Sequence, residues 1–350
     1  MRLLRLEAEV KGIPAEELPE LPAVATLPRT LLEHLDDWLA YQTTKVSLRS
    51  GKPLSRNYIR HLQHLRAELA EFEQCYKYPL TFQSMNATFY AKYQDYSLTV
   101  LGKKVNTFSG NIKYLKNFLY WCEEHDLPVT NKFHRFATPE VYVGVEALTA
   151  AELQAWAAVR ASTPAVRAYV AEHFPPIVSS NPRGRPALQV EDHLQRIELA
   201  RDKMLQCCYL GLRISDADKM SPAHIQNGFV RIHAGKTGGL CLIPFLDDQV
   251  FKPVSLVAKY APQALPTCLP TLPTIDEYML HVTHLAGITR LHVTSRIGRK
   301  TFATLKIYQG VPQRQVMLAT GHTTEKSFNR YLGIDEQELV DIYKRTARRI

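Results

Sequence analysis

The feature that most constrains this chain is how little of it can form sheet. Among 350 residues the strand pattern is confined to Phe229-Val230-Arg231-Ile232-His233 and Leu240-Cys241-Leu242-Ile243-Pro244, which flank Ala-Gly-Lys-Thr-Gly-Gly. Two short runs around a Gly-rich loop read as a β-hairpin. The other periodic stretches repeat every three or four residues, the spacing of a helix with one buried face. The chain is therefore expected to be mainly α, with a small antiparallel β-sheet.

Two helices of the N-terminal half show the pattern best. From Ser55 to Phe72 the stripe is Ile59, Leu62, Leu65, Leu69 and Phe72; Ser55 stands as N-cap, and Arg56, Arg60 and His64 take the opposite face. Over about 105–125, Phe108, Ile112, Leu115 and Leu119 are expected inside, and Ser109, Lys113, Lys116 and Asn117 outside. Such basic, amide-bearing faces suit a DNA groove, and ordinary solvated faces fit them equally well. Residues 1–27 are acidic, contain Pro14, Pro19 and Pro22, and read as an arm with little fixed structure. Residues 28–127 read as a helical domain, 128–147 as a linker without helical periodicity, and 148–350 as a second domain.

Within that second domain Thr149 and Glu152 make a capping box. Prolines crowd residues 162–190, which read as a surface excursion that interrupts the helices, and a long apolar helix follows over about 190–211. A last helix over about 335–348 carries Leu339, Ile342 and Tyr343 on one face, free to pack in cis or on a neighbouring protomer.

Composition removes several classes. No apolar run approaches the ~20 residues of a membrane span, and the N-terminus lacks a secretory h-region. The six cysteines show no paired spacing and read as reduced residues of a cytoplasmic protein. The formal charge of +9 is unevenly spread: residues 281–350 carry twelve basic and five acidic side chains. A basic C-terminal fifth on a near-neutral body points to an anionic partner, nucleic acid first.

Several segments could carry chemistry. Arg213 follows a helix end in Leu210-Gly211-Leu212-Arg213-Ile214-Ser215-Asp216; on that segment alone, an arginine paired with Asp216 or Asp218 for structure is the simplest reading. Lys236 lies at the hairpin tip, as a solvated turn residue or a point donor to phosphate. Gly-Lys-Thr lacks the leading Gly and strand-to-helix context of a P-loop, so nucleotide binding is rejected. Between Val293 and Leu305, Thr294 or Ser295 can cap a helix whose first turns place Arg296, Arg299 and Lys300 on one face. Like charges so spaced repel and oppose the helix dipole, which suggests a compensating anion. Thr320-Gly321-His322-Thr323-Thr324 reads as a turn between helices, and Tyr331 follows His322 by nine residues. The histidines lack convergent carboxylates or cysteines, so no metal site is expected.

Taken in order, Arg213, Lys236, Arg299, His322 and Tyr331 resemble the tyrosine recombinases, or phage integrases. Gly-Leu-Arg-Ile-Ser-Asp is similar to their first arginine box, and Gly-Lys-Thr to their β-hairpin lysine. Arg-Ile-Gly-Arg-Lys-Thr-Phe-Ala-Thr is similar to their His-x-x-Arg-His-Thr-Phe-Ala-Thr helix, and Thr-Gly-His…Arg-Tyr to their Leu-Gly-His segment and nucleophile. The likeness covers about 148–345, and more loosely 30–127. It departs at Arg296 and Lys300, where the family has histidines, and in the length of the 162–190 excursion.

The resemblance implies a helical, SAM-like core-binding domain before the catalytic one, and a site-specific recombinase that passes through a 3′-phosphotyrosine. Tyr331 would be the nucleophile, Arg213 and Arg299 the phosphate clamp, His322 a hydrogen-bond donor and Lys236 the acid for the leaving 5′-oxygen. Arg296 would add positive charge, Asp216 would orient Arg213 or its neighbours, and Arg56, Arg60, Lys113, Lys116 and Lys300 would contact DNA. No cofactor or metal is implied. The implied partners are double-stranded DNA with a specific recombination site and a homotetramer on synapsed DNA, with room for an accessory DNA-bending protein; the setting is cytoplasmic and nucleoid-associated, with no membrane. The rival readings are a catalytically impaired DNA-binding protein of the same fold, a type IB topoisomerase-like activity, and a helical scaffold for another protein.

Overall fold

The computed structural model describes residues 29–47, 51–175, 188–333, 340, 343 and 344. The proposed arm (1–27), the middle of the excursion (176–187) and most of the final helix, Leu339 and Ile342 included, lie outside the described residues. The chain divides into two compact units at Tyr142/Val143. No described helix is long and apolar enough to cross a membrane.

In the first unit, α1 (Leu31–Thr44), α2 (Arg56–Tyr76), α3 (Ala87–Asp95) and α4 (Val105–Glu124) enclose an aromatic-rich core. Ser55 caps α2 as its position suggested, accepting from the Tyr58 N–H at 3.2 Å. Leu62, Leu65, Leu69 and Phe72 of α2 meet Phe108, Ile112, Leu115 and Leu119 of α4, all buried. One carboxylate lies inside: Glu68 accepts from Tyr93 Oη at 3.0 Å and Asn111 Nδ2 at 2.9 Å, and pairs with Lys103. Those partners offset the cost of burying a charge there. Ser109, expected outside, is buried. Beyond α4, Asn131–Arg135 make a 3₁₀ turn, and Phe133 and Phe136 join the core of this unit.

The second unit is arranged around α7 (Val190–Leu210), whose C-terminal half is buried throughout. Helices α5 (Ala150–Ala158), α6 (Pro164–His173), α9 (Pro253–Tyr260), α10 (Ile275–Leu285) and α11 (Ser295–Tyr308) pack against it, while the short α8 (Ile214–Ala217) follows its end. Gly298 lets α11 approach closely, since a Cβ there would stand 2.6 Å from Cys207 Cβ. The sheet is antiparallel in the order β1 (Ile225–Gln226), β2 (Phe229–His233), β3 (Leu240–Pro244), with Val230 opposite Ile243 and His233 opposite Leu240. α12 (Gln313–Thr320) packs on β3, and α13 (Glu325–Phe328) follows.

The excursion needs a correction. Residues Pro164–His173 form a helix capped by Thr163, with Val166 and Val170 buried. Proline at the first helical position sacrifices no hydrogen bond and is preset for the helical φ, so Pro164 starts a helix instead of breaking one.

Candidate active site

Arg299 is the centre of the site. It sits in the second turn of α11 and is only 2% exposed. Its guanidinium donates to Gly211 O at 3.0 Å and also to Thr320 O. These carbonyls close two helices, since Gly211 is the C-cap of α7 and Thr320 the last residue of α12. Helix C-termini present orphan carbonyls with partial negative charge, and this is what makes a buried guanidinium tolerable here. Burial, and then the nearby Arg213, hold the Arg299 pKa below its ordinary value. The guanidinium carbon lies 5.5 Å from the centroid of the Tyr331 ring.

Arg213 follows Gly211, whose φ of +62° ends α7 and turns the chain. Its Nη1 pairs with Asp216 Oδ2 at 3.7 Å. The other carboxylate oxygen of Asp216, which is 1% exposed, accepts from the Gly235 N–H at 2.9 Å. One buried carboxylate thus ties Arg213 to the turn that carries Lys236. Lys236 itself is exposed at that tip. The hairpin also passes close to Gly321, next to His322, since a Cβ on Gly239 would meet Gly321 O at 3.1 Å. Among the described residues, Arg299 Nε is buried with no hydrogen-bond acceptor, and Arg213 Nη1 has none beyond its 3.7 Å ion pair with Asp216. Buried donors left unsatisfied are costly, and a bound anion would satisfy them.

Tyr331 ends a 3₁₀ turn after α13, which buried Phe328 anchors. Behind it, Thr304 Oγ1 lies 3.4 Å from Tyr331 O and accepts from the Gly333 N–H at 3.0 Å. The His322 ring is 4.7 Å from the Tyr331 ring, inclined at 56°. His322 Nδ1 lies 2.8 Å from Thr320 Oγ1. Burial first, then Arg299 and Arg213, push the His322 pKa down to about 4. A phenol, a neutral imidazole and two guanidiniums with unused donors can hold an anion beside a nucleophile.

The structure therefore brings Arg213, Arg299, His322 and Tyr331 together, with Asp216 supporting the first. It does not give the basic helix a single charged face. Arg299 points inward to the two helix ends, Lys300 is half-buried and Arg296 is exposed, with no hydrogen bond or ion pair to any described residue. In the first unit Arg56 and Arg60 are exposed on α2. Lys113 pairs with Glu140 at 2.8 Å, and Lys116 is drawn inward, donating to His134 O at 2.8 Å and Phe136 O at 3.3 Å. Sequence reasoning missed Thr320, Thr304 and Gly235, whose partners are distant in sequence or hidden in a helix end. The one available signal was the adjacency of Thr320 to Gly321-His322.

Solved structures share this fold. A lambda integrase dimer bound to a COC′ core site is 15% identical with a TM-score of 0.59, over 94% of this chain and 86% of that one. XerH bound to palindromic difH substrate is 13% identical with a TM-score of 0.60, over 89% of this chain and 94% of that one. The Tn1549 transposon integrase with a circular intermediate DNA is 13% identical with a TM-score of 0.56, over 90% and 99%. No family model matches the chain, and no curated protein matches it.

Proposed function

We propose that the chain is a site-specific DNA recombinase that cleaves and rejoins strands through a 3′-phosphotyrosine. The observation that carries this is the pair of buried guanidinium donors that make no hydrogen bond to any described residue, Arg213 Nη1 and Arg299 Nε, in the cluster that holds the Tyr331 ring. Tyr331 Oη attacks phosphorus, the P–O5′ bond breaks, and Lys236 protonates the departing oxygen. Arg213 and Arg299 neutralise the non-bridging oxygens, for which guanidinium forks are suited. Resealing reverses the steps with a 5′-hydroxyl from a second strand. The shared fold supports the reading, because the lambda, XerH and Tn1549 proteins were all solved on DNA. A lambda integrase tetramer bound to a Holliday junction also shares the fold, with a TM-score of 0.58, and supports four protomers on two synapsed duplexes here.

The test is a plasmid carrying two copies of the DNA that flanks the gene, incubated with purified protein. Recombination predicts a deletion or inversion product joined at one short sequence. Relaxation of supercoils without such a product would favour topoisomerase-like activity, and binding without either would favour a catalytically impaired protein.

A further inference from the structure

The contacts of Thr320 fix where the His322 proton sits. The Thr320 hydroxyl oxygen lies 2.7 Å from Val316 O, 3.3 Å from Met317 O and 2.8 Å from His322 Nδ1. The 2.7 Å and 2.8 Å contacts are hydrogen-bond distances, and each needs a hydrogen between the heavy atoms. Carbonyl oxygens carry none, so the single hydroxyl hydrogen goes to Val316 O. The hydrogen on the other contact must then belong to the imidazole. Neutral His322 is held as the Nδ1–H tautomer, and Nε2 keeps a bare lone pair. Thr320 is fully buried in the last turn of α12, which leaves its hydroxyl little freedom to rearrange. A lone pair cannot donate to a phosphate oxygen, but it can take a proton.

We propose that His322 Nε2 is the general base that takes the phenolic proton of Tyr331, and that Thr320 positions it by fixing the tautomer. The inference rests on the phosphotyrosine reading above. The two rings are adjacent, at 4.7 Å between centroids. Arg296 cannot fill the role, because a guanidinium stays protonated at any working pH. As Oη bonds to phosphorus its proton passes to Nε2, while the 5′-oxygen leaves with a proton from Lys236. On resealing, the imidazolium returns its proton to the tyrosine oxygen and Lys236 recovers its own from the attacking hydroxyl. In the free protein Arg299 and Arg213 help hold the imidazole neutral. A phosphodiester between them cancels that effect, so the base strengthens when DNA binds.

Two experiments on the full-length chain test this. Nitrogen-15 NMR of the free protein at neutral pH should show His322 as the Nδ1–H tautomer, with Thr320→Val losing that preference and Thr320→Ser keeping it. An Nε2–H tautomer in the parent overturns the proposal whether or not the protein recombines DNA. Single-turnover cleavage of a nicked duplex then separates base from donor. With natural Tyr331, His322→Gln should slow cleavage by about 10²–10⁴-fold, the usual worth of proton transfer. With 3,5-difluorotyrosine at position 331, a more acidic phenol, the defect should shrink to under about tenfold, since less base assistance is needed. Equal defects with both nucleophiles would make His322 a phosphate donor and overturn the proposal. If the parent itself forms no adduct, the recombinase reading fails, and the tautomer result still judges the orientation of His322.

Discussion

Arg299 shows how one residue can serve fold and site together. Its two carbonyl partners belong to different helix ends, so only a fork reaches both. Arg299→Lys should therefore slow covalent cleavage by about 10²-fold or more, by analogy with losing one preorganised donor. It should also lower the melting temperature, because a buried carbonyl left unpaired costs about 1–3 kcal/mol. An unchanged melting curve would contradict the structural half of this. His322 has a pH signature of its own. Its pKa falls from the ordinary 6.5 to about 4 on folding. Between those values the unfolded chain binds a proton that the folded state refuses, so stability is full above pH 6.5 and declines as pH drops toward 4. His193 and His281, also lowered chiefly by burial, act in the same direction. The melting temperature of His322→Gln should thus fall less steeply than the parent's between pH 6.5 and 4, and parallel curves would show that His322 does not contribute.

At the level of elements, α7 and α11 cross closely at Gly298. Gly298→Ala would force its Cβ to within 2.6 Å of Cys207 Cβ and should destabilise the protein by about 1–3 kcal/mol, read by denaturant titration. A neutral result would mean the helices separate freely. In the first unit, Lys116→Met should cost about 1 kcal/mol, because its ammonium satisfies two carbonyls, while Lys113→Met should cost less, its partner being an exposed Glu140. These cases mark what a sequence can reveal. The stripes of α2 and α4 were legible because a long amphipathic period leaves little choice of buried face. The inward turn of Ser109, and of Lys116 toward the 3₁₀ segment, was not, because periodicity says nothing about what covers the edge of a stripe. Pro164 misled for a local reason, since proline starts helices as readily as it stops them. The hairpin could be picked out from its strand pattern, and Arg213 and Tyr331 only through the family resemblance of their motifs, whereas Thr320 and Thr304 act through hydroxyls whose partners only the fold supplies.

For the whole molecule, the proposed DNA binding should weaken with salt, given the concentration of positive charge in residues 281–350. Arg56 and Arg60 are exposed on α2, and on the proposed reading they add phosphate contacts. Replacing both with alanine should reduce the slope of log K against log salt by about 0.9 for each contact removed. An unchanged slope and affinity would return them to an ordinary solvated face. The central claim, that Tyr331 becomes covalently joined to DNA, is tested most directly by trapping. The full-length protein is incubated with a duplex of its own flanking DNA, nicked beside the cleavage position so that the short 5′-hydroxyl strand diffuses away. The expected result is a denaturant-resistant adduct that peptide mapping places on Tyr331 and that Tyr331→Phe abolishes. An adduct that persists in the phenylalanine variant, or that maps to any other residue, would contradict it.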